Sequence, residues 1–194
     1  MAISGFKIGK QLLTASLVVA LFDSCLLEEH HVNWSEYLGG PDRNHYSELA
    51  QIDTTNVDRL EQVWEFHTGD TSGQMQCNPI VVDGVLYGST ASIEIFALNA
   101  ATGKEIWRFR DVRDEQWFST NRGVAYWELG GDRRILFSAG EWLYALNAQT
   151  GKLVTSFGDS GRVSLKSGLG EKAKDKFVIA STPGTVYRNT IIMP

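Results

Sequence analysis

Ala97-Leu98-Asn99-Ala100-Ala101-Thr102-Gly103-Lys104 recurs as Ala145-Leu146-Asn147-Ala148-Gln149-Thr150-Gly151-Lys152, a spacing of 48 residues from position 97 to 145. A period of this size marks repetition of one supersecondary unit. Ahead of the first copy, Asn78-Pro79-Ile80-Val81-Val82 and Val85-Leu86-Tyr87-Gly88 flank Asp83-Gly84, a pair that tolerates the positive φ of a tight hairpin turn. Ile93 to Leu98 supplies a third strand, and Glu105-Ile106-Trp107-Arg108-Phe109 a fourth. The second unit repeats the order with strands at Gly123 to Trp127, Arg134 to Ser138, Trp142 to Leu146 and Leu153 to Phe157. A third opens at Thr182-Pro183-Gly184-Thr185-Val186-Tyr187, turns at Arg188-Asn189 and continues into Thr190-Ile191-Ile192-Met193. The expected fold is all-β, a β-propeller of four-stranded antiparallel blades in which each sheet buries both faces against its neighbours.

Trp107 lies four residues after Gly103, where a large flat ring can dock between adjacent blades. The corresponding place in the second unit is Thr155, and Trp64 resembles the same outer-strand tryptophan without the rest of its blade. From Gln62 to Pro194 the chain holds about 2.8 periods, whereas closed propellers take roughly four to eight blades. Residues 53–194 are therefore expected to form a partial propeller of about two to three blades, truncated at the C-terminus.

Composition agrees with a folded β protein. In 194 residues, 43% are apolar and 21% charged, which excludes extended disorder and fibrous repeats. The 19 glycines and six tryptophans against four prolines suit many short strands joined by tight turns. With 18 basic against 23 acidic residues there is no positive surface for nucleic acid. Two cysteines exclude a disulfide scaffold, and Cys77, among apolar neighbours, reads as a small buried residue. The Gly-, Ser- and Lys-rich residues 160–176 read as a solvated loop, since no phosphate-cradling Gly-x-x-x-x-Gly-Lys-Ser/Thr pattern occurs. His30, His31, His45 and His67 converge on no acidic cluster visible in the sequence, and no metal or base role is assigned to them.

Lys7 and Lys10 precede the apolar run Leu12 to Phe22, a positive segment followed by a hydrophobic one too short for a folded transmembrane helix. Residues 1–25 read as a secretion signal. Phe22-Asp23-Ser24-Cys25 resembles a bacterial lipobox, with Phe22 and Asp23 imperfect and Cys25 the lipidated residue. A lipoprotein, an ordinary cleaved signal and an uncleaved anchor all place the chain outside the cytoplasm. The expected location is periplasmic, with a membrane anchor if Cys25 is lipidated.

Four stretches together resemble the PQQ-dependent quinoprotein dehydrogenases, in particular the glucose-dehydrogenase-like members. Within the lead-in at 26–52, Trp34-Ser35-Glu36-Tyr37-Leu38-Gly39-Gly40-Pro41 and His45 to Ile52 are similar to the family's opening motif. Asn56-Val57 and Trp64 to Asp70 resemble its ring-closing strand, the Ala-Leu-Asn-Ala-x-Thr-Gly-Lys turns its blade signature, and Asn121-Arg122-Gly123-Val124-Ala125-Tyr126-Trp127 its cofactor-side segment. The resemblance implies an eight-bladed full-length propeller, bound PQQ and a calcium ion, and oxidation of a sugar or other alcohol with electrons leaving to a quinone or cytochrome acceptor. The calcium ligands and the catalytic aspartate are expected beyond residue 194, so no catalytic or metal-ligating residue is assigned here.

PQQ is a flat tricyclic orthoquinone with three carboxylates, so its rim needs cationic and hydrogen-bonding donors. By resemblance, Arg122 is the arginine contacting the cofactor; the other reading is a salt-bridged loop arginine. Gln76 matches a position that is glutamate in methanol-oxidising relatives, and an amide there can still hydrogen-bond. Ser181 and Thr182 fall where the family places a hydroxyl on the cofactor carboxylates. Gln116-Trp117 stands in place of a vicinal cysteine pair, with Trp117 either a cofactor cover or a core residue. The alternative function is a non-enzymatic propeller lipoprotein, a scaffold of the outer-membrane barrel assembly type, which Cys25 fits equally well but which does not require the opening motif or Arg122.

Overall fold

The computed structural model describes residues 33–71, 73–111 and 120–194. The signal segment with Cys25, the His30-His31 pair and Gln116-Trp117 lie outside the described residues. Within them the regular structure is ten strands and three single 3₁₀ turns.

Strands β1 (Ile80–Val82), β2 (Val85–Ser89), β3 (Ile95–Asn99) and β4 (Glu105–Phe109) form one antiparallel sheet in sequence order. Strands β5 (Ala125–Leu129), β6 (Asp132–Ala139), β7 (Trp142–Asn147) and β8 (Arg162–Ser164) form a second, and β9 (Thr185–Tyr187) pairs with β10 (Thr190–Ile192) as a hairpin. This is the expected partial propeller. The Asp83-Gly84 turn has φ of 48° and 74°, both positive as a two-residue hairpin of this kind requires.

The repeated signature is a turn held by its own asparagine. Asn99 Oδ1 accepts hydrogen bonds from the Ala101 and Thr102 amides and the Thr102 hydroxyl at 3.1, 3.0 and 2.9 Å. Asn147 does the same for Gln149 and Thr150 at 3.1, 3.0 and 2.9 Å, as asparagine does when it caps a turn in place of backbone. The following glycine must be glycine twice over. At Gly103 φ is +68° and an added Cβ would lie 2.5 Å from the Trp64 ring; at Gly151 φ is +67° and it would lie 2.6 Å from the Trp107 ring. Each indole also donates to the turn beneath it: Trp64 to the Ala100 carbonyl at 3.1 Å and Trp107 to that of Ala148 at 2.9 Å. Trp107 docks as its spacing predicts, and Trp64 docks alike although residues 60–71 join no sheet ladder.

Alternation along β6 and β7 feeds two cores. Ile135, Phe137 and Ala139 with Tyr144 and Leu146 face β1–β4, in a core with Ile80, Val82, Tyr87, Ile93 and Ile95. Leu136, Leu143 and Ala145 face the other way, toward Val186, Ile191 and Met193 of the hairpin region. Period-two side chains on a strand covered on both faces produce this division.

Two expected strands move. Ile93 adopts φ 62° and lies in the turn before β3, where Asp70 accepts from the Ser92 amide and hydroxyl at 2.6 Å each. Leu153 to Phe157 makes one bridge, Leu153 with Leu146, and then turns. The fourth strand of the second sheet is β8, paired with Trp142 to Tyr144 and inside the stretch expected as loop. The reason is local: Gly158 packs with its Cα against the Arg162 carbonyl, where a Cβ would meet oxygen at 2.3 Å, and Gly161 takes φ +96°, so the chain reverses before it can extend.

The opening motif ties the molecule together. Trp34 exchanges backbone hydrogen bonds with Val81 at 2.8 and 2.9 Å, adding a bridge to the β1 edge. Arg43, nine residues on, donates to the Thr185 hydroxyl of β9 at 2.8 Å.

Candidate functional site

Three chain segments lead into β1, β5 and β9, and the structure lays them side by side. The Asn78 amide donates to the Arg122 carbonyl at 2.9 Å, and the Arg122 amide donates to the Ser181 carbonyl at 2.8 Å. Residue 122 is thus held from both sides, by backbone 44 residues earlier and 59 residues later (78, 122, 181). Gly123 is part of the same close approach: its φ is +142°, and a Cβ there would sit 2.7 Å from the Asn78 carbonyl oxygen.

Of the residues singled out by sequence, Arg122 and Ser181 are brought together, with Arg122 Nη1 donating to Ser181 Oγ at 3.2 Å. Arg122 is exposed and Ser181 half-buried. Among the described residues no carboxylate pairs with this guanidinium. Thr182 is half-buried beside Ser181, and of the two hydroxyls it is Ser181 that meets Arg122. Gln76 is exposed on the first of the three segments, and no hydrogen bond joins its amide to Arg122 or Ser181 among the described residues. Cys77, next to it, accepts from the Ser89 amide at 3.2 Å; burial pushes its thiol above the ordinary cysteine value, which suits an inert packed residue. Among the described residues no three His, Cys, Asp or Glu side chains gather as a metal site.

The structure adds Asn121, the first residue of the Asn121-Arg122-Gly123 segment. Its side chain is buried. Oδ1 accepts from Ser89 Oγ at 2.8 Å and from the Gly123 amide at 2.9 Å, and Nδ2 donates to the Ser138 carbonyl at 3.0 Å. Ser138 Oγ in turn donates to the Ala180 carbonyl at 2.5 Å. The signal for it, an asparagine two residues before a glycine, is an ordinary turn signature; Ser89 and Ser138 become its partners only through the stacking of the sheets.

An exposed guanidinium beside a half-buried hydroxyl suits an anionic oxygen ligand, because a planar fork of charged N–H donors meets a carboxylate with short, directional bonds. Comparison with known proteins bears on which ligand. The family model described as PQQ: glucose/ethanol/alcohol dehydrogenase, β-propeller domain, matches residues 34–194. The chain belongs to that family. The quinoprotein glucose dehydrogenase of Escherichia coli K12 is 31% identical over 183 residues, covering 83% of this chain and 23% of its own. The quinate/shikimate dehydrogenase (quinone) of Acinetobacter baylyi is also 31% identical, over 84% of this chain and 24% of its own. Among solved structures, the quinohemoprotein alcohol dehydrogenase from Comamonas testosteroni superposes with a TM-score of 0.68 at 26% identity, over 83% of this chain and 23% of that one. The chain therefore spans about a quarter of the length of the curated relatives it matches.

Proposed function

We propose that this chain forms the leading sector of a PQQ-dependent dehydrogenase that oxidises a sugar or other alcohol and passes the electrons to a quinone or cytochrome acceptor. The observation that carries this reading is the Arg122–Ser181 pair, an exposed cation with no carboxylate partner among the described residues, beside a hydroxyl, in a chain of this family. The donor set fits PQQ: a permanently charged fork for a rim carboxylate, Ser181 and Thr182 hydroxyls beside it, and the exposed Gln76 amide on the neighbouring segment. PQQ, when bound, supplies the redox chemistry as the acceptor of the substrate's electrons. Arg122 would neutralise and orient one of its carboxylates, with backbone bonds to Asn78 and Ser181 holding its main chain and the Ser181 hydroxyl contacting its guanidinium. The calcium ion that accompanies PQQ in this reading would be held by residues outside this chain.

We propose further that the protein is periplasmic and held to the membrane by a lipid on Cys25. The relatives' names span glucose, quinate or shikimate, and alcohol, which is why the substrate is given as a class.

The test is equilibrium binding. PQQ titrated into the intact protein, followed by quenching of tryptophan fluorescence, should bind at least about tenfold more weakly to Arg122→Ala, the loss of one charge-assisted contact. An unchanged Kd would remove the reading.

A further inference from the structure

We infer that Asn121 is a positioning residue for the cofactor-binding guanidinium. The inference rests on the reading that Arg122 takes a PQQ carboxylate, and it concerns what aims Arg122.

Residues 121, 122 and 123 alternate buried, exposed, buried. The alternation is imposed by one carboxamide. Asn121 Oδ1 accepts from the Gly123 amide at 2.9 Å, closing an asparagine turn whose central residue is Arg122, so the Arg122 side chain is the one element of the turn directed outward. The same oxygen accepts from Ser89 Oγ at 2.8 Å, and Nδ2 donates to the Ser138 carbonyl at 3.0 Å. Ser89 ends β2 of the first sheet and Ser138 lies on β6 of the second, so the amide is pinned to two sheets at once. Ser138 Oγ then reaches the Ala180 carbonyl, one residue before the Ser181 that touches Arg122. Asn121 thus fixes the turn carrying the guanidinium, while the segment carrying the Ser181 hydroxyl is held separately through Ser138 Oγ.

The side chain is specific to this work. Aspartate would keep the acceptor but present an oxygen to the Ser138 carbonyl, an unfavourable pairing of two acceptors inside the protein. Alanine would leave the Ser89 hydroxyl, the Gly123 amide and the Ser138 carbonyl without their buried partner. In either case the turn loosens and Arg122 samples directions that no longer meet a carboxylate, so affinity falls although the guanidinium is still present.

A double-mutant cycle on PQQ affinity in the intact protein tests this without reference to activity. With Arg122 present, Asn121→Ala should weaken PQQ binding by about tenfold; in the Arg122→Ala background the same substitution should change Kd by less than about twofold, because the group it aims is gone. Asn121→Ser, which keeps an oxygen within reach of the Gly123 amide, should recover part of the affinity. If Asn121→Ala does not fold, Asn121→Ser and Ser89→Ala enter the same cycle, each with an expected loss of about threefold that vanishes in the Arg122→Ala background. Equal losses in both backgrounds, or no loss with Arg122 present, would overturn the inference while leaving the role of Arg122 intact. A Kd unmoved by Arg122→Ala would instead remove the reading beneath it.

Discussion

The seam between β1–β4 and β5–β8 and the seam between β5–β8 and the β9–β10 hairpin solve one problem with different residues. In the first, Trp107 of β4 lies over the Gly151 turn and donates to the Ala148 carbonyl, which also accepts from the Tyr87 hydroxyl at 3.3 Å. In the second, the place of Trp107 is held by the exposed Thr155, and Trp127 of β5 donates to the Arg188 carbonyl at 3.0 Å. The two indoles come from opposite edges of their sheets. What persists is the physical requirement, a large flat side chain with one donor that covers the gap and satisfies a turn carbonyl; which strand provides it follows from where the fourth strand ended up.

The two cores are unequal as well. The first seam buries aromatic residues in depth, with Phe137 stacked on Tyr144 at 5.0 Å and Phe109 edge-on to Phe137 at 6.1 Å. Buried members of the second are Ala125, Leu136, Leu143 and Ala145. Removing an anchor should therefore cost more at the first seam. Trp107→Ala is expected to destabilise the chain by about 3 kcal/mol in urea unfolding, and Trp127→Ala by roughly half that. Equal losses would mean that the seams are energetically equivalent despite their packing.

Next in size is Gly151→Ala, expected to cost roughly 2 kcal/mol or more, since it combines a left-handed backbone with a Cβ placed against the Trp107 ring. Gly140→Ala, at φ +56° with open space around it, isolates the backbone part and should cost about 1 kcal/mol. If the two cost the same, contact with Trp107 contributes nothing.

Alkali probes the first seam through Tyr87. Burial pushes the Tyr87 phenol from 10.0 up to about 12. A group with a raised folded value contributes its stability in full below its unfolded value and loses it as pH climbs through the folded one. Stability should fall by roughly 1 to 2 kcal/mol between about pH 10 and 12, and Tyr87→Phe should flatten that part of the profile. A profile unchanged by the substitution would assign the alkaline loss elsewhere.

Smaller still is Trp127→Phe, which keeps the ring and leaves the Arg188 carbonyl without its donor, at about 1 kcal/mol. Smallest is Thr155→Trp. It restores the repeat in the sequence but at an exposed turn position, so its effect should stay within about 0.5 kcal/mol. A gain beyond that would show that a fourth-strand tryptophan can still dock there.

Apart from the Ile93 turn that shortens β3, the first sheet was readable because its turns carry their chemistry locally: Asp83-Gly84 for positive φ, and Asn99 with Thr102 and Gly103 for the capped turn. The second was misread where local chemistry gave an ambiguous message. Val154 and Phe157 are apolar and look like strand, yet they pack into the second core from a turn, while Gly158, Ser160 and Gly161, all at positive φ, reverse the chain toward β8. At the site, resemblance to a family pointed to Arg122, Ser181, Thr182 and Gln76, but no local rule could say that residues 122 and 181 touch. That contact is a product of sheets stacked in order. The Asn121 network was hidden for the same reason, since its partners Ser89 and Ser138 are unremarkable serines until β2 and β6 flank it.

The bond from Arg43 to Thr185 joins positions 142 residues apart, and it gives the fold a timetable. Its two ends lie far apart in chain order, so closing the contact needs most of the chain to be present and carries the larger loop-closure cost. Trp34 can find Val81 far sooner, so the N-terminal segment settles in two stages, one clasp early and one late. Until the second closes, the stretch from Ser35 to Arg43 is tethered at one end only and samples more conformations than in the finished molecule.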